Sequence, residues 1–202
     1  TSLFNFLTGY SQQSKYDRLL IAPLDLRERL TELIRREKRH KLNGVDARII
    51  VKANSLTDEQ LIHELYEASQ AGVEIDLNIR GVCVLRPGVK GLSSNIRVRS
   101  VVGRFLEHSR IFYFANGGND DHWLSLGSAD WMHRNLDRRV EIVLPIIDPS
   151  IRTYVKEEIL DVYLRDNVNS RSLRPDGSYK KISGSGELFD AQMAFVGKDI
   201  LT

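Results

Sequence analysis

Residues 47–81, ARIIVKANSLTDEQLIHELYEASQAGVEIDLNIRG, decide the fold. They open on ARIIVKAN, a β-rich apolar run that reads as a buried strand. In the SLTDEQ that follows, Thr57 or Asp58 suits a helix cap, and Gln60 completes a capping box if Thr57 holds that position. Helical sequence runs on to Ala71, and Gly72 supplies the left-handed residue that ends it. VEIDLNIR at 73–80 then alternates apolar and polar residues, as expected of a strand with one solvated or site-facing side.

The same alternation extends in both directions. Upstream, YDRLLIAP at 16–23 reads as a short strand stopped by Pro23. Leu26, Leu30, Leu33 and Ile34 then recur at helical spacing over 24–40, with Arg, Glu and Lys opposite them and a cap at or near Asp25. Downstream, 82–94 is a Gly/Pro loop, 96–101 is strand-like and 103–107 suggests a helical turn. RIFYF at 110–114 and WLSL at 123–126 flank NGGNDD and predict a hairpin. RVEIVLPI at 139–146 is a further strand. Residues 150–165 form an amphipathic helix with Val155, Ile159, Val162 and Tyr163 on its apolar face. Residues 166–186 read as polar and irregular, with a last helix from Glu187 to about Val196. Strands and helices alternate early and strands cluster later, which predicts an α/β domain with a mixed β-sheet flanked by helices. The expected division is a linker or the end of a preceding domain at 1–14, the domain at 15–166, and a tail with a helix at 167–202.

Composition narrows the function classes. The 202 residues are 42% hydrophobic and 28% charged, ordinary for a soluble globular chain. No apolar run approaches the roughly 20 residues of a membrane helix. The N-terminus lacks the basic start and apolar run of a signal peptide, and without an initiator Met the chain reads as cut from something longer. The one cysteine, Cys83, excludes an internal disulfide and a Cys-rich metal site, so a cytoplasmic setting is expected. A net charge of +2 provides no global basic field, and nucleic acid is not an expected partner. The bases are nonetheless clustered. Arg80, Arg86, Lys90, Arg97, Arg99, Arg104 and Arg110 fall in one run whose only acid is Glu107. Such a cluster suits an anionic ligand, although a solvated basic face has the same composition.

Two segments carry candidate chemistry: EHSRIFYF at 107–114 and GSADWMHRNLDRRVE at 127–141. In an extended chain His108 and Arg110 face one side, so an imidazole and a fixed cation reach the same anion. Phosphoryl chemistry needs that pair, a nucleophile or proton donor beside a charge that neutralises the equatorial oxygens. A histidine bonded to backbone at a strand edge is the plainer alternative for H-x-R alone. In the second segment Asn135, Asp137 and Glu141 gather an amide and carboxylates. Glu141 lies between Val140 and Ile142, and from the opposite face of the strand it could orient an imidazole or simply be exposed.

H-x-(K/R) followed by G-S-x-x-W-x-x-R-N-x-x-x-x-x-E resembles one half of the phospholipase D superfamily site. The ordered motifs NIRG, LRPG, NIRV, GRFLEHSRI, FANGG and GSADWMHRNLDRRVE, with KANSLTD upstream, resemble more specifically the C-terminal domain of polyphosphate kinase, from about Tyr16 to Arg165. The resemblance implies a phospholipase-D-like fold and reversible transfer of the terminal phosphate of ATP to inorganic polyphosphate. In that family two such domains face each other, and a histidine of the first becomes phosphorylated.

Carried over by motif, His108 is the second essential histidine and Arg80, in NIRG, the phosphate-contacting arginine. Arg80, His108 and Arg110 are thus the expected ATP- and phosphate-binding residues, and His108 and Glu141 the catalytic pair, with Glu141 orienting the ring. Lys52, Asn54, Ser128 and Asn135 are second-tier candidates for the same cleft. The phosphorylated histidine and the ligands of Mg2+ are expected in the preceding catalytic domain, with no metal ligand in this chain. Expected partners are ATP or ADP, polyphosphate, that preceding domain and further copies of the full enzyme as a homo-oligomer. The location is cytoplasmic, with membrane association left open. His40, His63, His122 and His133 fall outside the motifs and are read as surface or structural. Two alternatives compete: a stand-alone phosphodiesterase or nuclease that pairs two identical halves, and a non-catalytic polyphosphate-binding domain. Against the first stand the near-neutral charge and an H-x-R where such enzymes usually carry H-x-K.

Overall fold

The computed structural model describes residues 19–118, 121–182 and 186–196. The chain enters at β1 (Leu20–Ala22) and continues into helix α1 (Leu26–Leu42). Next come β2 (Arg48–Ala53), α2 (Glu59–Gln70) and β3 (Glu74–Ile79), then β4 (Ile96–Val101) after a long loop. β5 (Arg110–Phe114) and β6 (Trp123–Gly127) form the hairpin, and a short helix α3 (His133–Asp137) leads to β7 (Glu141–Pro145). Helix α4 (Pro149–Tyr154), a π-helical segment (Val155–Leu160) and α5 (Asp161–Arg165) run consecutively. β8 (Ser170–Leu173), β9 (Tyr179–Lys181) and α6 (Ala191–Val196) complete the described elements.

Among the described residues the strands form one sheet in the order β1-β7-β6-β5-β2-β3-β4-β8-β9. β2, β3 and β4 run parallel, with Ile50 opposite Asp76 and Leu77 opposite Val98. The strands on either side pair antiparallel, Ile50 opposite Tyr113 on one side and Ser100 opposite Arg171 on the other. The sheet is therefore mixed, as the sequence predicts.

β2 is central because both its faces are covered. Ile49, Val51 and Ala53 enter a core with Ile75, Leu77, Phe112 and Phe114, closed by Leu30, Leu33 and Ile34 of α1 and Leu61 and Leu65 of α2. Ile50 faces the other way and packs with Ile111, Tyr113 and Leu124 under Val155 and Leu160 of the π-helical segment. Each such side chain contributes about 1.5–3 kcal/mol by leaving water. The caps follow the sequence in part. Asp58 caps α2 by accepting from the Leu61 amide at 3.1 Å, and Gly72, at φ +96°, ends it. Asp25 precedes α1 but accepts from the Ile21 amide at 2.7 Å, bracing the turn before the helix rather than its first amides.

Four expectations change. Of the two options for the polar side of β3, the solvated one is set aside: Asp76 and Asn78 are buried, Asp76 gripped by Arg48 and Arg97 and Asn78 opposite Lys52. Residues 103–107 are irregular rather than helical, with their backbone bonded to a side chain from α6. Residues 166–186 are not wholly irregular, since β8 and β9 extend the sheet around a turn at Gly177, where φ is +86°. Their polarity reflects an exposed sheet edge, and the sheet passes the expected boundary at 166. The last helix starts at Ala191, after Asp190, which accepts from the Met193 amide at 3.1 Å. Residues 1–14 and the 16–18 end of the first predicted strand lie outside the described residues. No described helix is long and apolar enough to cross a membrane.

Burial alone would raise the Asp76 carboxyl, but Arg97 and Arg48 outweigh it and hold the group below its usual range. A depressed folded pKa gives stability that is full above the unfolded value of about 3.9 and lost as pH falls through the folded one. Asp76→Asn is therefore expected to cost about 1–3 kcal/mol at pH 7. The deficit should stay flat down to about pH 5 and shrink below about pH 4, as checked by urea titrations across that range.

Candidate active site

The parallel strands β2 and β3 end where the antiparallel β5 begins, and the predicted site residues gather at that end of the sheet. Lys52 opposes Asn78 on one side and Ile111 on the other. Arg110 opens β5 opposite Gly127, the last residue of β6. A Cβ at Gly127 would lie 2.6 Å from Val143 Cγ2 and 2.9 Å from the Ile142 carbonyl. Glycine there lets β6 and β7 close and sets Ser128 against Glu141. Gly81 has a similar duty after β3, since its Cβ would meet the Asn54 carbonyl at 2.9 Å.

His108 is exposed, and its ring meets Arg110. Arg110 Nη1 lies 2.9 Å from His108 Nδ1 and donates to the His108 carbonyl at 2.8 Å. The rest of the guanidinium is held from behind: Arg110 Nη2 donates to Asp130 Oδ2 at 3.1 Å and Nε to Oδ1 at 3.3 Å. Asp130 also accepts from the backbone amides of Asn54, at 2.7 Å, and Ser55, at 3.3 Å. With the nitrogen of its side-chain amide turned to the Glu107 carbonyl, Asn54 donates there at 2.8 Å and accepts from Arg110 Nη2 at 2.6 Å.

Behind His108 lies a buried ion pair. Lys52 Nζ donates to Glu107 Oε2 at 2.8 Å and sits 4.4 Å from the centre of the Tyr163 ring. Burial lowers the Lys52 pKa, Glu107 opposes that shift, and the charges of Arg80 and Arg110 add to it. The burial of Tyr163, with Glu107 beside its hydroxyl, raises the phenol pKa well above its usual value. Arg80 bonds through its backbone to Ala53 and Ser100, and its guanidinium has no acid partner among the described residues.

Glu141 is buried, and its hydrogen bonds among the described residues go to other partners than His108. Its carboxylate accepts from the hydroxyl of Ser128 and, at 2.8 Å, from Asn135 Nδ2. The second-tier residues thus divide: Lys52 and Asn54 support the His108 loop and Arg110, whereas Ser128 and Asn135 fix Glu141. The basic run also divides. Arg97 is neutralised by Asp76 and Glu74, and Arg99 donates to the Leu164 carbonyl. Both are taken up by partners on or beside β4, whereas the charges of Arg80 and Arg110 bear on Lys52.

Of the other histidines, His63 and His133 are exposed beside Glu67 and Asp137, and His122 packs against Tyr113. The residues missed were Asp130, Tyr163 and Gln192, together with Glu107 as a partner. Asp130 stood inside GSAD, and Glu107 was the lone acid of the basic run. Gln192 carried no sequence signal. Burial raises the Cys83 thiol pKa to about 11, so it is not a nucleophile at neutral pH.

The carboxylates around His108 do not fit a resident magnesium ion, which needs free oxygen ligands. Glu107 is held by Lys52 and Gln192, Asp130 by Arg110 and two amides, and Glu141 by Ser128 and Asn135. Elsewhere Asp58, His133 and Asp137 bring potential ligand atoms within 4.8 Å of one another, but Arg27 bonds both carboxylates and already supplies the counter-charge. A depression of about 430 Å³ adjoins His108, lined by Phe105, Leu106, Glu107, Tyr163 and Phe195 among others.

Residues 19–192 match the family model described as polyphosphate kinase C-terminal domain 2. A polyphosphate kinase of Synechocystis sp. is 56% identical over 179 residues, 89% of this chain and 24% of that protein. A polyphosphate kinase of Pseudomonas aeruginosa is 51% identical over 184 residues, 91% of this chain and 26% of that protein. The chain thus spans about a quarter of the length of these relatives. The crystal structure of polyphosphate kinase from Porphyromonas gingivalis superposes with a TM-score of 0.90 at 39% identity, covering 95% of this chain and 29% of that one. Nuc from Salmonella typhimurium, a phospholipase D family member, superposes at TM-score 0.55 and 16% identity over 78% of this chain and 97% of its own, a likeness of fold alone. With that fold, and with a family model matched from β1 into α6, the chain belongs to the polyphosphate kinase family, as its C-terminal domain 2.

Proposed function

We propose that this chain supplies one half of a phosphoryl-transfer site, which moves the terminal phosphate of ATP to inorganic polyphosphate and back. The other half, with the phosphorylated histidine and any magnesium ligands, is assigned to the preceding domain of the longer protein. The observation that carries this reading is the direct contact of His108 with Arg110 at an open sheet end whose acids are all engaged. Glu107 is balanced by Lys52 and Asp130 by Arg110, while Arg80 has no acid partner among the described residues.

Phosphoryl transfer is mainly a matter of positioning and charge stabilisation. Arg80 and Arg110 would grip anionic oxygens of ATP or of the polyphosphate end, for which the planar guanidinium is better shaped than an ammonium. The Arg110 fork is fixed in advance by Asp130 and Asn54, so little ordering is left for the moment of binding. His108 would act as general acid or base, or stabilise the departing phosphate, opposite the phosphohistidine. Lys52, neutralised by Glu107 and capped by Tyr163, supports the loop and does not reach a ligand in this arrangement. An isolated copy of this chain is expected to bind polyphosphate without turning over ATP.

In the full-length enzyme, His108→Ala should lower polyphosphate synthesis from ATP by at least about 100-fold with the fold retained, the usual scale for a positioned acid or base. Normal turnover of that variant would remove the role. Arg80→Ala should raise the Kd for ATP by about tenfold or more, as expected when a charge-assisted contact is lost, and isothermal titration would measure it. Asp130→Asn should lower kcat and stability together, by about 3 kcal/mol in stability, because it strands the guanidinium of Arg110 in a nearly buried place. Wild-type denaturant midpoint and turnover would exclude that linkage.

A further inference from the structure

We infer that Gln192 is a positioning residue for His108, which makes the C-terminal helix α6 part of the site. This rests on the reading of His108 given above and extends it to a segment outside every motif.

The loop 102–109 that carries His108 has no regular structure, and Val102, Phe105 and Leu106 are exposed on it. Its own packing therefore does little to fix it. Gln192 supplies the fixation. Its Oε1 accepts from the Phe105 amide at 2.9 Å, and its Nε2 donates to the Phe105 carbonyl at 2.8 Å and to Glu107 Oε1 at 2.6 Å. One side-chain amide thus closes both backbone groups of Phe105 and one oxygen of the residue next to His108. Lys52 holds the other oxygen of Glu107. Gln192 is 3% exposed, so these bonds form away from competing water.

The loop is shaped for this side chain. A Cβ at Gly103 would lie 2.5 Å from Gln192 Oε1 and 3.0 Å from Asn169 Nδ2. Any larger residue at 103 would displace the amide. Helix α6 is itself tied down where the chain leaves α5. Asp166 accepts from the Ala191 amide at 2.9 Å and from the Asn169 amide at 2.8 Å. Asn167 bonds Phe189 and Glu187, and Val101, Val162, Tyr163 and Ala191 form a small core beneath. A continuous set of contacts therefore runs from the end of α5 through Gln192 to Glu107 and His108.

The test uses the full-length enzyme with Gln192→Ala and Gln192→Glu, and His108→Ala as reference. Gln192→Ala should lower kcat for polyphosphate synthesis by about tenfold or more, with the KM for ATP within about twofold, the signature of a lost transition-state arrangement. Gln192→Glu keeps the shape but sets an acceptor against the Phe105 carbonyl and a second carboxylate against Glu107. Its loss should be larger at neutral pH and should reverse in part on acidification, when the buried carboxyl regains a proton to donate. Wild-type activity should not rise over the same range. If folded Gln192→Ala keeps its kcat, or if its kcat falls only in step with the fraction melted, the inference is overturned. Should Gln192→Ala fail to fold, the pH profile of Gln192→Glu decides, and a profile parallel to wild type overturns it. Turnover by His108→Ala would instead sink the reading of the site itself. An inactive His108→Ala beside wild-type Gln192 variants would sink this inference alone.

Discussion

The carboxylate of Asp130 ties three chain segments that would otherwise end apart. It accepts from the backbone amides of Asn54 and Ser55 where β2 ends and from Nε and Nη2 of Arg110 where β5 begins, and it sits just past β6. The next residue, Trp131, is fully buried, packs on Phe112 and exchanges backbone bonds with Ser55, Thr57 and Asp58. The GSAD segment therefore works as a knot at the site end of the sheet. A carboxylate accepting from backbone amides and a guanidinium is stable when buried, because each oxygen has a donor and the charge a partner. Remove it and Arg110 has no reason to present its free edge to His108.

Behind that knot the charges are arranged in layers. Lys52 and Glu107 cancel in the interior, with Tyr163 on one side and Gln192 on the other. Arg110 and Asp130 cancel nearer the surface, and Arg80 has no acid partner among the described residues. A buried pair gains little stability for its desolvation, but it fixes a geometry. Here it fixes the residue before His108, so a histidine on an irregular exposed loop is still held in place.

The fold also gives charged groups neighbours that the sequence did not show. Glu141 looked able to orient an imidazole, yet Ser128 and Asn135 take its carboxylate, since Gly127 lets β6 and β7 approach closely enough for the serine to reach it. The run of bases from Arg80 to Arg110 looked like one anion site. Asp76 and Glu74 take Arg97, and the Leu164 carbonyl takes Arg99. Composition counts charges along a chain, but each charge is decided by the neighbour the fold gives it.

By itself the sequence determined the elements whose signal is local. The alternation in 47–81, the helix-ending Gly72, the NGGNDD hairpin and the apolar stripes of two helices act through period and turn chemistry, so a few residues suffice to read them. The H-x-R and GSADW segments marked a candidate site in the same way, and the order of motifs marked the family. Only the tertiary structure decided the pairings across long separations: Asp130 with Arg110, Lys52 with Glu107, Gln192 with Phe105. It also decided that 170–173 and 179–181 are strands of the sheet and that the loop before His108 is held from α6. Such contacts depend on which strand lies beside which and on how closely two backbones approach. A glutamine eighty-odd residues from its partner leaves no pattern in the chain, because its role exists only once both ends meet.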